Sequence, residues 1–224
     1  MKKFALIVAG GSGNRMKNSI PKQFIELEGK PVLMHTFDVF KKYDPKIEFI
    51  LIIPEDQVQQ WKSLCDKYRF KLKHKLAFGG KTRFHSVKSG LNLISEEGIV
   101  FIHDGVRPLV SVKTVTNCFN TTLEKGNALP VISAVESIRF SDGNNNKSVD
   151  RSNYFLVQTP QTFKVELIKK AYSQDYSKEF TDDSSVLEKI GEKINLVEGN
   201  RENIKITYPE DLLIAKTLIE KSAN

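Results

Sequence analysis

The first chemistry the sequence offers is Ala9-Gly-Gly-Ser-Gly-Asn-Arg-Met, a glycine-dense stretch that follows directly on the apolar run Phe4–Val8. Glycines this closely spaced let successive backbone N–H groups turn toward one centre, the geometry that cradles phosphate oxygens. Ala9, Gly10, Gly11 and Gly13 are therefore candidate nucleotide-phosphate ligands. Arg15 and Lys22 follow in the same loop, and Pro21 restricts the residue before it, so the lysine can be held at a defined approach. Two cations beside a glycine loop point to a triphosphate. Two better-known glycine motifs are set aside. Met16 stands where Gly-x-Gly-x-x-Gly needs its third glycine, and Lys75 occupies the glycine position that a Walker A loop ending at Gly80-Lys81-Thr82 would require.

A second cluster, Ile102-His-Asp-Gly-Val-Arg-Pro, ends another apolar run. If that run is a parallel strand, Asp104 lies at its carboxyl end, where open α/β sheets bind ligands. Asp104 is the candidate ligand of a Mg2+ ion, a cation that needs only one or two carboxylates when substrate phosphates and waters supply the rest. His103 reads as a packed histidine, because nothing near it in sequence is a nucleophile for it to activate. No Ser-His-Asp set is evident.

The elements that must position these residues follow from periodicity. Strand-like runs recur at Phe4–Val8, Glu48–Ile53, Lys71–Phe78, Ile99–His103 and Ala128–Ser133, with helical stretches between the first four. In Thr82–Ile94 the residues Phe84, Val87, Leu91 and Ile94 share one face; in Glu55–Tyr68, Val58, Trp61, Leu64 and Cys65 do. The alternation predicts an α/β fold, a Rossmann-like, mostly parallel sheet with helices on both faces. A last helix should begin near Thr207-Tyr-Pro-Glu-Asp, with Thr207 and Glu210 at capping-box spacing and Leu212, Leu213 and Leu218 in the core. Residues 137–155 break the rhythm. Around the turn-forming Asp142-Gly-Asn-Asn-Asn they read as a protruding β-hairpin arm, which has little core of its own and calls for a second subunit to lie on.

A chain of 224 residues with 40% hydrophobic content suits one large domain spanning 1–224. Phe4–Ala9 is too short for a signal-peptide core or a membrane span, so a cytoplasmic protein with no membrane partner is expected. Cys65 and Cys118 lack metal or disulfide spacing and read as reduced structural residues. The net charge of +7 is spread along the chain without any nucleic-acid-binding signature, so the expected partners are small anions and no nucleic acid.

Taken together and in order, the landmarks Ala9-Gly-Gly-x-Gly-x-Arg-Met, Pro21-Lys-Gln, Gly79-Gly-x-x-Arg-x-x-Ser-Val, His103-Asp-x-x-Arg-Pro, Val149-Asp-Arg, Thr159-Pro-Gln, Thr181-Asp-Asp and Asn203-Ile-Lys-x-Thr-x-Pro-Glu-Asp resemble the 2-C-methyl-D-erythritol 4-phosphate cytidylyltransferases of the non-mevalonate isoprenoid pathway. The resemblance covers nearly the whole chain. It implies transfer of CMP from CTP to a sugar-alcohol phosphate, with Arg15, Lys22 and Lys205 as catalytic residues around the α-phosphate. Gly80, Lys81 and Ser86 would read cytosine. Arg107, Ser137, Arg151, Thr159 and Thr181 would bind the second substrate, with Ser137 and Arg151 carried across the interface of a homodimer. Glu136-Ser-Ile-Arg replaces the family's usual Asp-Thr-x-Lys, Gly10 stands where alanine is frequent, and Gly105-Val106 replaces a small pair.

The chemistry is compatible with that resemblance. A phosphate monoester has a second pKa of about 6 and is a dianion at neutral pH, so no general base is needed. The work left is to bring two anions together and stabilise charge on the α-phosphoryl oxygens and the departing pyrophosphate. Two alternatives share the same residues: a cytidylyltransferase acting on another polyol phosphate such as ribitol 5-phosphate, and a non-catalytic nucleotide sensor.

Overall fold

In the computed structural model the described residues are 1–10 and 20–223, the side chains of 222 and 223 excepted. The chain runs β1 (Lys2–Val8), a small β2 (Glu26–Leu27) and β3 (Lys30–Pro31) pair, α1 (Val32–Tyr43), β4 (Glu48–Ile53), α2 (Val58–Lys67), β5 (His74–Phe78), α3 (Arg83–Leu91) and β6 (Gly98–Asp104). It continues through α4 (Val112–Lys125), β7 (Asn127–Ser133), β8 (Ile138–Ser141), β9 (Asn146–Val149), β10 (Phe155–Val157), β11 (Gln161–Lys164), α5 (Val165–Ala171), α6 (Asp183–Glu188), β12 (Leu196–Glu198) and α7 (Pro209–Ala223).

Side chains alternate across β1 and so divide the core in two. Ala5 and Ile7 face α1, α2 and α4, packing with Phe37, Phe40, Trp61 and Cys118. Phe4 and Leu6 face α3, α5 and α6, packing with Phe84, Val87, Ile168 and Leu187. The predicted faces of α2 and α3 thus lie on opposite sides of one sheet. Its order is β10-β7-β11-β6-β1-β4-β5, with β12 beside β7; β6, β1, β4 and β5 are parallel, while β10 and β11 run against β7. The chain leaves β1 toward β4 and β5, then returns to the other flank of β1 as β6. That reversal opens the crevice at the carboxyl ends of β1 and β6, where Val8 and Asp104 stand opposite each other.

Three local expectations need correction. The strand expected over Lys71–Phe78 forms only over His74–Phe78, where pairing with β4 starts at Phe49 opposite His74; just before it the His74 ring donates back to the Leu72 carbonyl. The capping box of α7 is not Thr207 with Glu210. The Asp211 carboxylate accepts from the backbone N–H of Thr207 at 2.7 Å and of Tyr208 at 2.8 Å, and the Thr207 hydroxyl donates to the Lys205 carbonyl. Leu213 is 69% exposed, since helical spacing gives the inner face to Leu212, Ala215 and Ile219, which pack with Leu27, Val32 and Ile206; Leu218 is half-buried.

The arm has the expected form. Strands β8 and β9 pair antiparallel, and the Asp142 carboxylate accepts from the N–H groups of Asn144 and Asn145 to set the turn, with Gly143 at φ +95°. Phe140, Tyr154, Phe155, Leu156 and Val157 on and beside it are exposed. Both cysteines are free thiols, and burial pushes Cys118 up to about 12 and Cys65 up to about 11.

Candidate active site

A cavity of about 290 Å³ opens at the carboxyl ends of β1, β5 and β6. Ala9 and Gly10 line it from the end of β1, Gly80, Lys81 and Ser86 from the β5–α3 turn, and Asp104 from β6; Lys22 and Lys205 close the other side. The structure therefore brings these eight expected residues together. Gly11, Gly13 and Arg15 lie outside the described residues.

Asp104 is the electrostatic centre. Its Oδ2 meets the Lys205 ammonium at 3.0 Å and the Arg107 Nε at 3.4 Å, while the Arg83 guanidinium stands 3.8 Å from Oδ1. Burial would favour the neutral acid, but Lys205, Arg83 and Arg107 outweigh it and hold the carboxyl well below the usual carboxylate range. Asp104 is thus ionised, with Oδ1 the less occupied oxygen. That is a workable fit for a divalent cation arriving with a triphosphate, which would bring the remaining oxygens. Among the described residues no group of three or more His, Cys, Asp or Glu could hold a metal without such help.

The cations are held by backbone. Lys22 begins a short 3-10 turn after Pro21, is 9% exposed, and donates to the Ile206 carbonyl at 3.1 Å. Ile206 in turn donates its N–H to the Val106 carbonyl, so the strand-like segment carrying Lys205 is stitched to the loop after Asp104. Arg107 donates to the Asn203 carbonyl at 2.7 Å. Gln23 fixes the start of the glycine loop by donating to the Ala9 carbonyl at 3.0 Å.

His103 is a structural residue, as expected. A carbonyl can only accept, so the ring nitrogen Nε2, 3.0 Å from the Arg107 oxygen, carries the proton. Nδ1 then accepts from the Thr159 hydroxyl at 3.1 Å, whose oxygen accepts from the Asp104 N–H at 3.1 Å. Burial pushes His103 down to about 4, so the ring is neutral and both nitrogens are committed. Thr159 is 5% exposed and acts here as a brace for the Asp104 backbone.

The β5–α3 turn is equally constrained. Ser86 accepts from the Gly80 N–H at 2.9 Å and donates to the Thr82 carbonyl at 3.0 Å, so its hydroxyl shapes the turn that faces the cavity. None of the five residues expected to bind the second substrate lines the cavity: Arg107 and Thr159 contact Asp104 without reaching the cavity lining, and Ser137, Arg151 and Thr181 lie away from it. Ser137 and Arg151 are exposed on the arm, where Arg151 donates to the Val135 carbonyl, and Thr181 is exposed in the loop before α6.

Residues that the sequence reading left without a role complete the site. Arg83, on the cavity wall, pairs with Asp183, which is fully buried and also accepts from the Tyr172 hydroxyl at 2.6 Å. Gln161 links the segments around Thr159 and Thr181, donating to Asp182 at 2.9 Å and accepting from the Ser184 N–H at 2.8 Å. Asn203, fully buried, donates to the Thr159 carbonyl at 2.8 Å. All sit inside the quoted landmarks except Tyr172, whose register only the fold reveals.

Comparison with known proteins agrees with this architecture. The family model for 2-C-methyl-D-erythritol 4-phosphate cytidylyltransferase matches residues 4–221. Enzymes of that name from Bacteroides thetaiotaomicron and Phocaeicola vulgatus are 48% and 49% identical over 219 residues, in each case 98% of this chain and 100% of theirs. The crystal structure of 4-diphosphocytidyl-2C-methyl-D-erythritol synthase from Anaerococcus prevotii superposes with a TM-score of 0.82 at 28% identity, covering 98% of both chains.

Proposed function

The chain belongs to the 2-C-methyl-D-erythritol 4-phosphate cytidylyltransferase family and transfers CMP from CTP to 2-C-methyl-D-erythritol 4-phosphate in isoprenoid precursor synthesis, and we propose that it does so in the cavity around Asp104. The observation that carries this assignment is the convergence of Lys205, Arg107 and Arg83 on one buried carboxylate at the carboxyl ends of β1 and β6.

The residues act by charge and position. Lys22 and Lys205, with Arg15 of the glycine loop, stabilise the charge that gathers on the α-phosphoryl oxygens as the methylerythritol phosphate attacks and pyrophosphate leaves. The turn at Gly80 and Lys81, shaped by Ser86, reads the base. Asp104 would hold Mg2+, which would supply further positive charge to the triphosphate. No residue needs to accept a proton from the nucleophile, and His103, neutral and doubly hydrogen-bonded, is unsuited to do so.

The second substrate requires more than one chain supplies. Arg107 and Thr159 contact Asp104 without lining the cavity, and Ser137, Arg151 and Thr181 stand away from it. The exposed apolar residues of the arm and the neighbouring β10 edge support a homodimer in which the arm, 137–155, of a single 1–224 domain reaches the partner's site. Among the described residues no helix is long and apolar enough to cross a membrane, which is compatible with a cytoplasmic enzyme.

The test is pyrophosphate release with CTP and either methylerythritol phosphate or ribitol 5-phosphate. Strong preference for the first is expected. Preference for ribitol 5-phosphate, or no release with either, would overturn the substrate assignment.

A further inference from the structure

Arg83 faces two carboxylates. One edge of its guanidinium pairs with Asp183 through Nη1, and Nη2 stands 3.8 Å from Asp104 Oδ1, beyond hydrogen-bonding distance. Asp183 is fully buried, and its Oδ1 takes both Arg83 and the hydroxyl of Tyr172, itself 2% exposed; Oδ2 has no hydrogen-bond partner among the described residues. A buried carboxylate satisfied on one oxygen alone depends heavily on its cation.

We propose that Asp183 and Tyr172 are positioning residues that hold the Arg83 guanidinium back from Asp104, so that it offers its remaining donors to the nucleotide phosphates and leaves Asp104 Oδ1 open. The inference rests on the reading of this cavity as the CTP site. Three elements converge to fix the arrangement. Arg83 is the first residue of α3, Tyr172 follows α5, and Asp183 is the first residue of α6. Phe84, the neighbour of Arg83, stacks on the Tyr172 ring at 4.8 Å, which locks the register of α3 against α5. Asp182 caps α6 by accepting from the Ser185 N–H at 2.8 Å and is tied to Gln161, so the Asp183 carboxylate cannot follow the arginine if it moves.

Released from Asp183, Arg83 has a ready alternative within a small rotation: a closed, hydrogen-bonded ion pair with Asp104 Oδ1. That pair would consume the open oxygen and the arginine's own donors together. Asp183 thereby acts on the nucleotide through Arg83.

The experiment is a double-mutant cycle on the full-length enzyme, reading kcat/KM for CTP, metal-free CTP affinity by calorimetry, and Tm. Asp183→Asn should lower kcat/KM by roughly tenfold or more, as expected for a lost hydrogen bond to a charged group, and Tyr172→Phe by roughly threefold, the low end for one hydrogen bond, because it acts on Arg83 only through Asp183. In an Arg83→Met background neither change should have a further effect on kcat/KM or affinity. Should Asp183→Asn fail to fold, the nearly isosteric Tyr172→Phe carries the same cycle. A fall in Tm with unchanged kcat/KM, or an equal loss in both backgrounds, would overturn the inference. Lys205→Met separates the two levels of argument. If it too is silent, the cavity is not the CTP site; if it is impaired while the cycle is additive, only the role of Asp183 and Tyr172 fails.

Discussion

Two adjacent glycines at the base-reading turn should respond oppositely to the same substitution. A Cβ on Gly80 would lie 2.4 Å from the His85 Cβ, 3.1 Å from its carbonyl carbon and 3.3 Å from its Cα. None of these atoms is the end of a flexible chain, so Gly80→Ala must push the turn away from α3 and stretch the 2.9 Å bond from the Gly80 N–H to Ser86. Loss of that bond with its partner left in place costs about 1–3 kcal/mol, or roughly 5- to 150-fold, in kcat/KM for CTP. A Cβ on Gly79 would meet nothing nearer than Ser86 Oγ at 3.7 Å, an ordinary contact. Gly79→Ala should therefore keep near-normal turnover. Steady-state kinetics with CTP and UTP, alongside Tm, makes the comparison. In Gly80→Ala the preference for CTP should shrink as well, because the groups that meet the cytosine amine move with the turn. Equal impairment of the two variants, or a Gly80→Ala enzyme with an unchanged CTP:UTP ratio, would refute the reasoning.

Lys22→Ala and Lys205→Ala should each cut kcat by roughly 10²-fold or more while raising KM for CTP much less, since both are assigned to charge that develops in the transition state; a pure KM effect in both removes that role. Arg151→Ala should chiefly impair use of the sugar phosphate, and mixing it with Lys22→Ala subunits should restore activity through one heterodimer site holding both wild-type residues. No recovery despite proven subunit exchange would place the arm in its own chain's site. Acid should destabilise the fold through His74, whose Nε2 accepts from the Trp61 N–H at 3.0 Å while Nδ1 donates to the Leu72 carbonyl. Burial lowers its pKa in the folded state, so the unfolded chain binds the proton first, and stability present above about pH 6.5 is lost as pH falls below it. The slope from one such histidine is at most about 1.4 kcal/mol per pH unit, and His74→Gln, which keeps the acceptor without titrating, should flatten the Tm-versus-pH curve below 6.5 by that share.

The strands and the cavity residues were legible because their signals are local. Apolar runs ending in glycine or aspartate mark β1 and β6, and parallel order alone then brings Gly10 and Asp104 to one crevice. What escaped depends on contacts distant in sequence. Asp183 lies 100 residues from Arg83, and nothing in the spacing of Thr181-Asp-Asp says that its last carboxylate is buried against an arginine of the nucleotide pocket. Leu213 was misplaced for a related reason: three leucines in one helix cannot be ranked until the surface that receives them is known, and here Leu27, Val32 and Ile206 select Leu212 and Ala215. The capping of α7 turned on a single residue, Asp211 in place of Glu210, because Pro209 starts the helix and puts Asp211 where its carboxylate reaches back to Tyr208.

The charge arrangement explains why the site spends two buried carboxylates among its cations. Lys22, Lys81, Arg83, Arg107 and Lys205 bring five positive charges to one small region, and Asp104 and Asp183 return two, leaving a net of about +3 among the described residues. Five uncompensated cations would repel one another and splay outward before any ligand arrived. With Asp104 between Lys205, Arg107 and Arg83, and Asp183 behind Arg83, these three cations have fixed positions, yet the surplus still attracts a triphosphate and then a phosphate monoester. The two carboxylates are therefore not interchangeable. Asp104, at the cavity wall, can exchange its cation partners for those the nucleotide brings, whereas Asp183, sealed beneath it, can only hold what it already has.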